Sequence, residues 1–310
     1  MLSQFKSQLT ESPKNVWFWE NLKSRNDYKL ISLVVSHNPP ETLYKLISQL
    51  LLISDKIVII DSSNMELYNN IKNKLTNEKI ILIHENNDYG LGSALAYGMK
   101  IASQFIYDYL LIMEDDSLFI YNDGEINLNI NGIIKNFTRT FDRNDVLYLS
   151  DHSNINNNEF IIISDYLGTN TGLLLNSALS KKINFRLDFY IDQIDIDLQY
   201  NIKKMGGNLV LTKYKIIDRL PVGRENKNGV NTIPIFRFYL LTRNSIILFM
   251  ERKISPKHLF FILGYFLKGL VSGQSVYYLL IALFYGVIDG LKTNSGITKT
   301  LKFFRHDLHI

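Results

Sequence analysis

Between Leu30 and Glu114, short apolar runs alternate with segments of helical period, and every run breaks off on polar or acidic residues. Residues 30–35, 56–60, 80–83 and 109–113 have the length and aliphatic content of buried strands. Between the first two, Leu43, Leu46, Ile47 and Leu50 recur at helical spacing, and helices are expected again over 65–75 and 93–105. This order predicts an α/β fold, a Rossmann-like and mainly parallel sheet with helices on both faces. Ligands of such sheets bind at the carboxyl ends of the strands. That rule places Asp61, Asp88 and the run Glu114, Asp115, Asp116 along one rim. Consecutive carboxylates repel one another unless a cation sits among them. Their oxygens suit a hard divalent ion, Mg2+ or Mn2+, with a phosphate beyond it. An isolated acidic triplet is more often a solvated turn, but acids at three strand ends of one rim are less readily dismissed.

Further along, 146–149 and 160–164 are strand-like, and 121–144 is polar with a helix expected. Leu167, Gly168, Thr169, Asn170, Thr171 and Gly172 read as a polar loop before another helix. A second acidic set follows at Asp188, Asp192, Asp195 and Asp197. In a helix starting at 192, Asp192 and Asp195 share a face and Asp197 lies further round. A strand over 209–217 then leads to Asp218.

Beyond residue 225 the character changes. A helix is expected over 237–249, and 259–271 and 276–288 are strongly apolar. No charge falls between Gly269 and Ile288, about the length of a membrane span, yet Ser272, Gly273, Gln274 and Ser275 interrupt the run. Two arrangements stay open. The helices lie in a membrane interface with Lys253, Lys257, Lys268 and Lys292 at the headgroups, or they pack on the α/β domain. The expected organisation is thus a helical segment over 1–28, the α/β domain over 29–225 and a helical region over 226–310. A net charge of +4 over 310 residues is too mild for a nucleic-acid binder. The absence of cysteine excludes a disulfide framework and a thiolate nucleophile. Residues 1–14 lack the apolar core of a signal peptide.

Taken together, these segments resemble the inverting glycosyltransferases of family 2, which have a GT-A fold, and among them the rhamnosyltransferase-like and galactofuranosyltransferase-like branch. The resemblance runs over about 29–296. Val34-Val35-Ser36-His37-Asn38-Pro39 resembles the family's opening strand and turn, with His37 where Tyr is usual. Residues 57–63 resemble the second strand, whose Asp contacts the nucleotide base, a role that falls to Asp61. Asp88-Tyr89-Gly90-Leu91-Gly92-Ser93-Ala94, with Gly98, resembles the start of a donor-side helix, with Ala96 where Asn is frequent. Residues 110–117 resemble the Asp-x-Asp segment, Glu114 replacing the first Asp and Asp116 falling on the metal-binding one. Residues 189–198 resemble the segment that supplies the general base, which matches best at Asp195. Where the family commonly has a metal-binding His before a Gly, this chain has Asp218-Arg219-Leu220-Pro221-Val222-Gly223.

The resemblance implies transfer of a sugar from a nucleotide-diphosphate donor, UDP- or dTDP-linked, to a hydroxyl of a glycan or lipid-linked acceptor. It assigns the donor to Ser36, His37, Asn38, Asp61, Asp88, Gly90, Glu114, Asp115 and Asp116. A divalent ion, Mg2+ or Mn2+, falls to Asp116 with Asp115 and Asp218, and Arg219, Arg224 or Arg237 are candidates to assist the diphosphate. Asp195 is the expected base, with Asp192 and Asp197 as competitors, and Gly168, Thr169, Asn170 and Thr171 form the acceptor side. A cytoplasmic enzyme, peripheral on the inner face of the cell membrane and compatible with a homo-oligomer, is the expected setting. Two rival readings compete with this one. A sugar-phosphate nucleotidyltransferase usually carries a Gly-rich loop with Arg and Lys after its first strand, where this chain has His37-Asn38-Pro39-Pro40. A non-catalytic, membrane-associated module that binds sugar nucleotides requires no base such as Asp195.

Overall fold

The computed structural model describes residues 28–85, 90–120, 130–149, 159–213, 215–220, 225–227 and 230–292. Its first half alternates as expected: β1 (Leu30–Ser36), α1 (Thr42–Ile53), β2 (Lys56–Asp61), α2 (Met65–Lys74), β3 (Ile80–His84), α3 (Leu91–Ala102) and β4 (Tyr109–Glu114). These four strands pair in parallel, in the order β3-β2-β1-β4. Period-two alternation sends their side chains to opposite faces. Leu33, Val58, Ile60 and Ile112 pack with Leu95 and Met99 of α3, whereas Leu30, Val34, Ile59 and Met113 pack with Leu43, Ile47 and Leu50 of α1. Both faces are therefore buried, which is why the strands read as continuous apolar runs.

The chain then continues through shorter elements: β5 (Ser117–Phe119), α4 (Ile130–Thr140), β6 (Val146–Tyr148), β7 (Phe160–Ile163), β8 (Leu173–Asn176), α5 (Ile194–Lys204), β9 (Leu209–Thr212) and β10 (Ile217–Arg219). The main sheet has eight strands in the order β3-β2-β1-β4-β8-β6-β9-β7. Two expectations are corrected here. The segment after Gly172 is not a helix but β8, which lies antiparallel between β4 and β6, with only a single helical turn at Ser177–Ser180 behind it. Leu173, Leu174 and Leu175 are all buried, and so short an apolar run carries no period to tell strand from helix. The single strand expected over 209–217 is two strands. β9 joins the main sheet, while β10 pairs antiparallel with β5, setting Arg219 opposite Ser117.

β11 (Glu225–Lys227) and β12 (Val230–Thr232) form a hairpin that leads into α6 (Ile235–Met250), α7 (Phe260–Val271) and α8 (Val276–Lys292). α6 belongs to two cores. Its Ile247 and Leu248 join the cluster beneath the sheet, and its Phe238, Tyr239 and Leu241 pack with Ile262, Leu279 and Ala282 of α7 and α8. α8 crosses α6 closely: a Cβ at Gly286 would stand 2.8 Å from Thr242 Cβ, and one at Gly290 2.6 Å from Ile246 Cβ. The buried Asp289 Oδ2 accepts a hydrogen bond from Tyr239 Oη at 2.8 Å in this crossing. The helical region thus packs on the α/β domain through α6. Among the described residues no helix is long and apolar enough to cross a membrane.

Candidate active site

Strand register brings the rim residues level. Ser36 lies opposite Asp61, Asp61 opposite His84, and Val35 opposite Glu114. Asp61 is fully buried. Its Oδ1 accepts from Ser36 Oγ at 2.9 Å and Ser63 Oγ at 2.8 Å, and its Oδ2 accepts from Ser63 N at 3.2 Å. The turn after β1 is tied to the same place: Asn38 N donates to Ser63 Oγ at 2.9 Å, and His37 Nδ1 lies 3.0 Å from Ser62 Oγ. Asp88 falls in 86–89, outside the described residues. Gly90 precedes α3 at φ 89°, and an added Cβ would stand 2.3 Å from Tyr190 O, so the position requires glycine. Tyr190 O accepts from Leu91 N at 2.6 Å, seating the α3 N-terminus on the segment before α5.

The acidic run turns at the end of β4. Asp115 Oδ2 accepts from His37 N at 3.1 Å, and its backbone carbonyl accepts from Thr42 Oγ1 at 3.1 Å. Burial pushes Asp115 up to about 7; the His37 N–H opposes that shift, and the charges of Asp116 and Glu114 add to it. Asp116 is buried, with Oδ1 accepting from Ser117 Oγ at 3.0 Å. Burial also raises Glu114, and the Arg219 guanidinium opposes that rise most strongly. Arg219 Nη2 donates to Glu114 Oε2 at 2.5 Å and lies 4.0 Å from Asp116 Oδ2, while its Nη1 donates to Thr169 Oγ1 at 2.8 Å. One side chain thereby ties the acidic run to the 168–171 loop. Within that loop Asn170 is buried, and its Oδ1 has no hydrogen-bond partner among the described residues.

Asp192 and Gln193 have φ of 63° and 65°, a left-handed pair that is costly outside glycine. The pair turns the chain sharply into α5, so Asp192 precedes the helix instead of opening it. Arg237 holds the turn with a two-pronged grip on Asp192, at 2.6 and 3.2 Å. Asn244 Nδ2 donates to the carbonyls of Ile191 and Asp192 at 2.8 and 3.0 Å. Asp195 then sits in the first turn of α5. A methyl group added at Gly168 would stand 3.9 Å from Asp195 Oδ2, which places base candidate and loop side by side. Burial pushes Asp195 up to about 7; the Ile196 N–H opposes, and the charges of Asp192 and Glu114 add.

Three candidate residues have partners of their own in this geometry. Asp218 alternates with Arg219 on β10, so it faces away from the acidic run and is exposed, its Oδ1 paired with Lys215 at 2.7 Å. Asp197 is buried on another side of α5, where its Oδ1 meets Lys253 Nζ at 2.6 Å. Lys253, which also meets Glu251 at 3.0 Å, is therefore no headgroup contact. Arg186 completes that network, donating to Asp188 and to both oxygens of Glu251 at 2.7 Å. Sequence spacing held no signal for it, since the partners are up to 65 residues apart.

No three His, Asp or Glu side chains among the described residues form a group that could hold a metal ion. A Mg2+ ion shared with substrate phosphates needs only one or two protein carboxylates. Asp115 and Asp116 form a donor set that fits such a shared ion and not an all-protein cage.

No protein-family model matches the sequence, and comparison with curated proteins gives no match. Solved structures do match in fold. HddC from Yersinia pseudotuberculosis is 13% identical at a TM-score of 0.41, over 61% of this chain and 92% of that one. The inositol-1-phosphate CTP transferase from T. maritima is 13% identical at 0.39, over 63% and 91%. The mannose-1-phosphate geranyltransferase from Thermus thermophilus is 10% identical at 0.39, over 61% and 76%.

Proposed function

We propose that this cleft transfers a glycosyl group, with inversion, from a nucleoside-diphosphate sugar to an acceptor hydroxyl. The observation that carries the reading is Asp195, a sheltered carboxylate pushed up to about 7 beside Gly168 and under the charge of Glu114. An acceptor hydroxyl must lose a proton as it attacks, and a carboxylate with a proton affinity near neutrality suits that task. Asp195 takes the proton; Asp192, clamped by Arg237, holds the turn that positions it. Arg219 presents positive charge where the leaving diphosphate develops negative charge. Ser36, His37, Asn38 and Asp61 line the donor end, and Gly168 to Thr171 the acceptor end. An ion shared by Asp115, Asp116 and the diphosphate would act as a Lewis acid on the leaving group.

The second reading is a sugar-phosphate nucleotidyltransferase, and the names of the solved neighbours lean toward it. Those likenesses concern the fold alone. The chemistry separates the two readings. A phosphate-monoester nucleophile is already largely ionised at neutral pH, so it needs cations more than a base, whereas an acceptor hydroxyl needs the base that Asp195 is proposed to be. The test offers UDP-, dTDP- and GDP-sugars with Mg2+ or Mn2+, and in parallel nucleoside triphosphates with sugar 1-phosphates. Release of nucleoside diphosphate in the first arm is expected. Pyrophosphate release in the second arm alone would establish the nucleotidyl transfer instead.

A further inference from the structure

The outward faces of α7 and α8 are apolar in a pattern the fold does not use. Phe260, Leu263, Leu267 and Val271 recur along one side of α7, and Tyr277, Leu280 and Phe284 along one side of α8, all exposed. Phe260 and Tyr277 are 70% and 67% exposed. The opposite sides of both helices are the ones packed in the core: Ile262 on α7, and Leu279, Ala282 and Gly286 on α8. Large exposed apolar patches mark interaction surfaces. The charge around this one has a single sign. No acidic residue occurs from Arg252 to Ile288, while Lys257, Lys268 and Lys292 are exposed around the stripes.

We propose that this face docks on an anionic lipid bilayer, with α7 and α8 lying in the headgroup plane and not crossing it. Apolar stripes rimmed by lysine are the two terms that drive interfacial binding. A second copy of the chain would set lysines against lysines, with no exposed carboxylate on α7 or α8 to pair them. The docked face is also mechanically joined to the cleft. α6 holds α8 through Tyr239 and Asp289, and the same helix holds Asp192 through Arg237. Resting on the proposed glycosyl transfer, this joins the cleft to a surface from which a lipid-linked acceptor is presented.

The test is flotation of the full-length protein with vesicles of phosphatidylglycerol and phosphatidylcholine, against phosphatidylcholine alone, with nucleotide-sugar hydrolysis measured alongside. Binding to the anionic vesicles is expected, weakening as salt is raised. Lys257→Gln, Lys268→Gln and Lys292→Gln together should lower partitioning by about 10²-fold, near fivefold for each charge. Phe260→Ser with Phe284→Ser should lower it at least about tenfold. Neither change touches the cleft, so hydrolysis without vesicles should stay as in the parent. A protein that ignores anionic vesicles overturns the proposal, whether it is a dimer through this face or a monomer covering it with residues outside those described. Vesicle binding without any hydrolysis would sink the catalytic reading and leave this one standing.

Discussion

Arg219 Nη2 meets Glu114 Oε2 at 2.5 Å across 105 residues of sequence, closing β10 onto the end of β4. The pair is only partly exposed on both sides, so each partner shields the other from the cost of a lone charge in a dry site. Arg219→Ala should therefore do two things: remove positive charge from the proposed diphosphate position, and remove the charge that most opposes the upward shift of Glu114. Turnover is expected to fall by about 10²-fold, with weaker binding of the free nucleoside diphosphate in calorimetry. Arg219→Lys keeps the charge but cannot reach Glu114 and Thr169 together, and should recover only part of the loss. Parent-like turnover in Arg219→Ala would remove this residue from the mechanism.

Asp195→Asn keeps size and hydrogen bonding but cannot take a proton. It should lower turnover by roughly 10²–10⁴-fold while donor affinity changes little. In the parent, turnover should rise as pH increases through about 7, and that limb should vanish in the variant. Asp197→Asn provides the contrast. It strips the partner from Lys253 and should cost on the order of 3 kcal/mol in unfolding, with the pH profile of the surviving activity unchanged. If Asp197→Asn shifts that profile and Asp195→Asn does not, the base has been misassigned.

The same titration acts on stability with the opposite sign. Asp195 moves from an ordinary 3.8 to about 7 in the folded protein. Between those values the folded state holds a proton that the unfolded chain releases. Its stabilising contribution is therefore complete below about 4 and is lost as pH rises through 7. Asp195→Asn should match the parent in thermal unfolding near pH 4 and exceed it at pH 8, by roughly 1–2 kcal/mol. Asp115 carries a shift in the same direction, so some pH dependence should persist. A variant equally destabilised at both pH values would show that the folded protein does not raise the proton affinity of Asp195.

Asp116→Ala should abolish turnover and leave the fold nearly intact. Its carboxylate contributes one hydrogen bond, from Ser117 Oγ, while the backbone contact of its carbonyl with Leu220 N survives the change. A chelator should silence the parent, and Mg2+ or Mn2+ should restore it. Full activity of Asp116→Ala in the presence of chelator would exclude a metal ion at this position.

How much was legible in advance follows from the range of the forces involved. Four strands from Leu30 to Glu114 and their helices were readable because period-two and period-3.6 burial is a local property. That readable order also placed Asp61 and the Glu114–Asp116 run on one rim, since strand-end position follows from sheet order alone. Leu173 to Leu175 were misread because a short apolar run is compatible with either state, and only the open edge of β4 made it a strand. Asp195 was the expected base, matched by its motif, but spacing along the chain left Asp192 and Asp197 in competition with it. Tertiary structure separated them: a left-handed pair at Asp192 and Gln193 turns Asp195 toward Gly168, while Lys253 claims Asp197 from 56 residues away. Asp218, a metal-ligand candidate, and Arg219, a candidate to assist the diphosphate, stood side by side until pairing with β5 sent one to solvent and the other to Glu114. By itself the sequence determined the sheet, its acidic rim and the apolar character of the last helices, because each depends on neighbours in the chain. Which acid is sheltered, which is neutralised and which apolar face stays bare depends on partners brought from far away, and only the folded structure decided those.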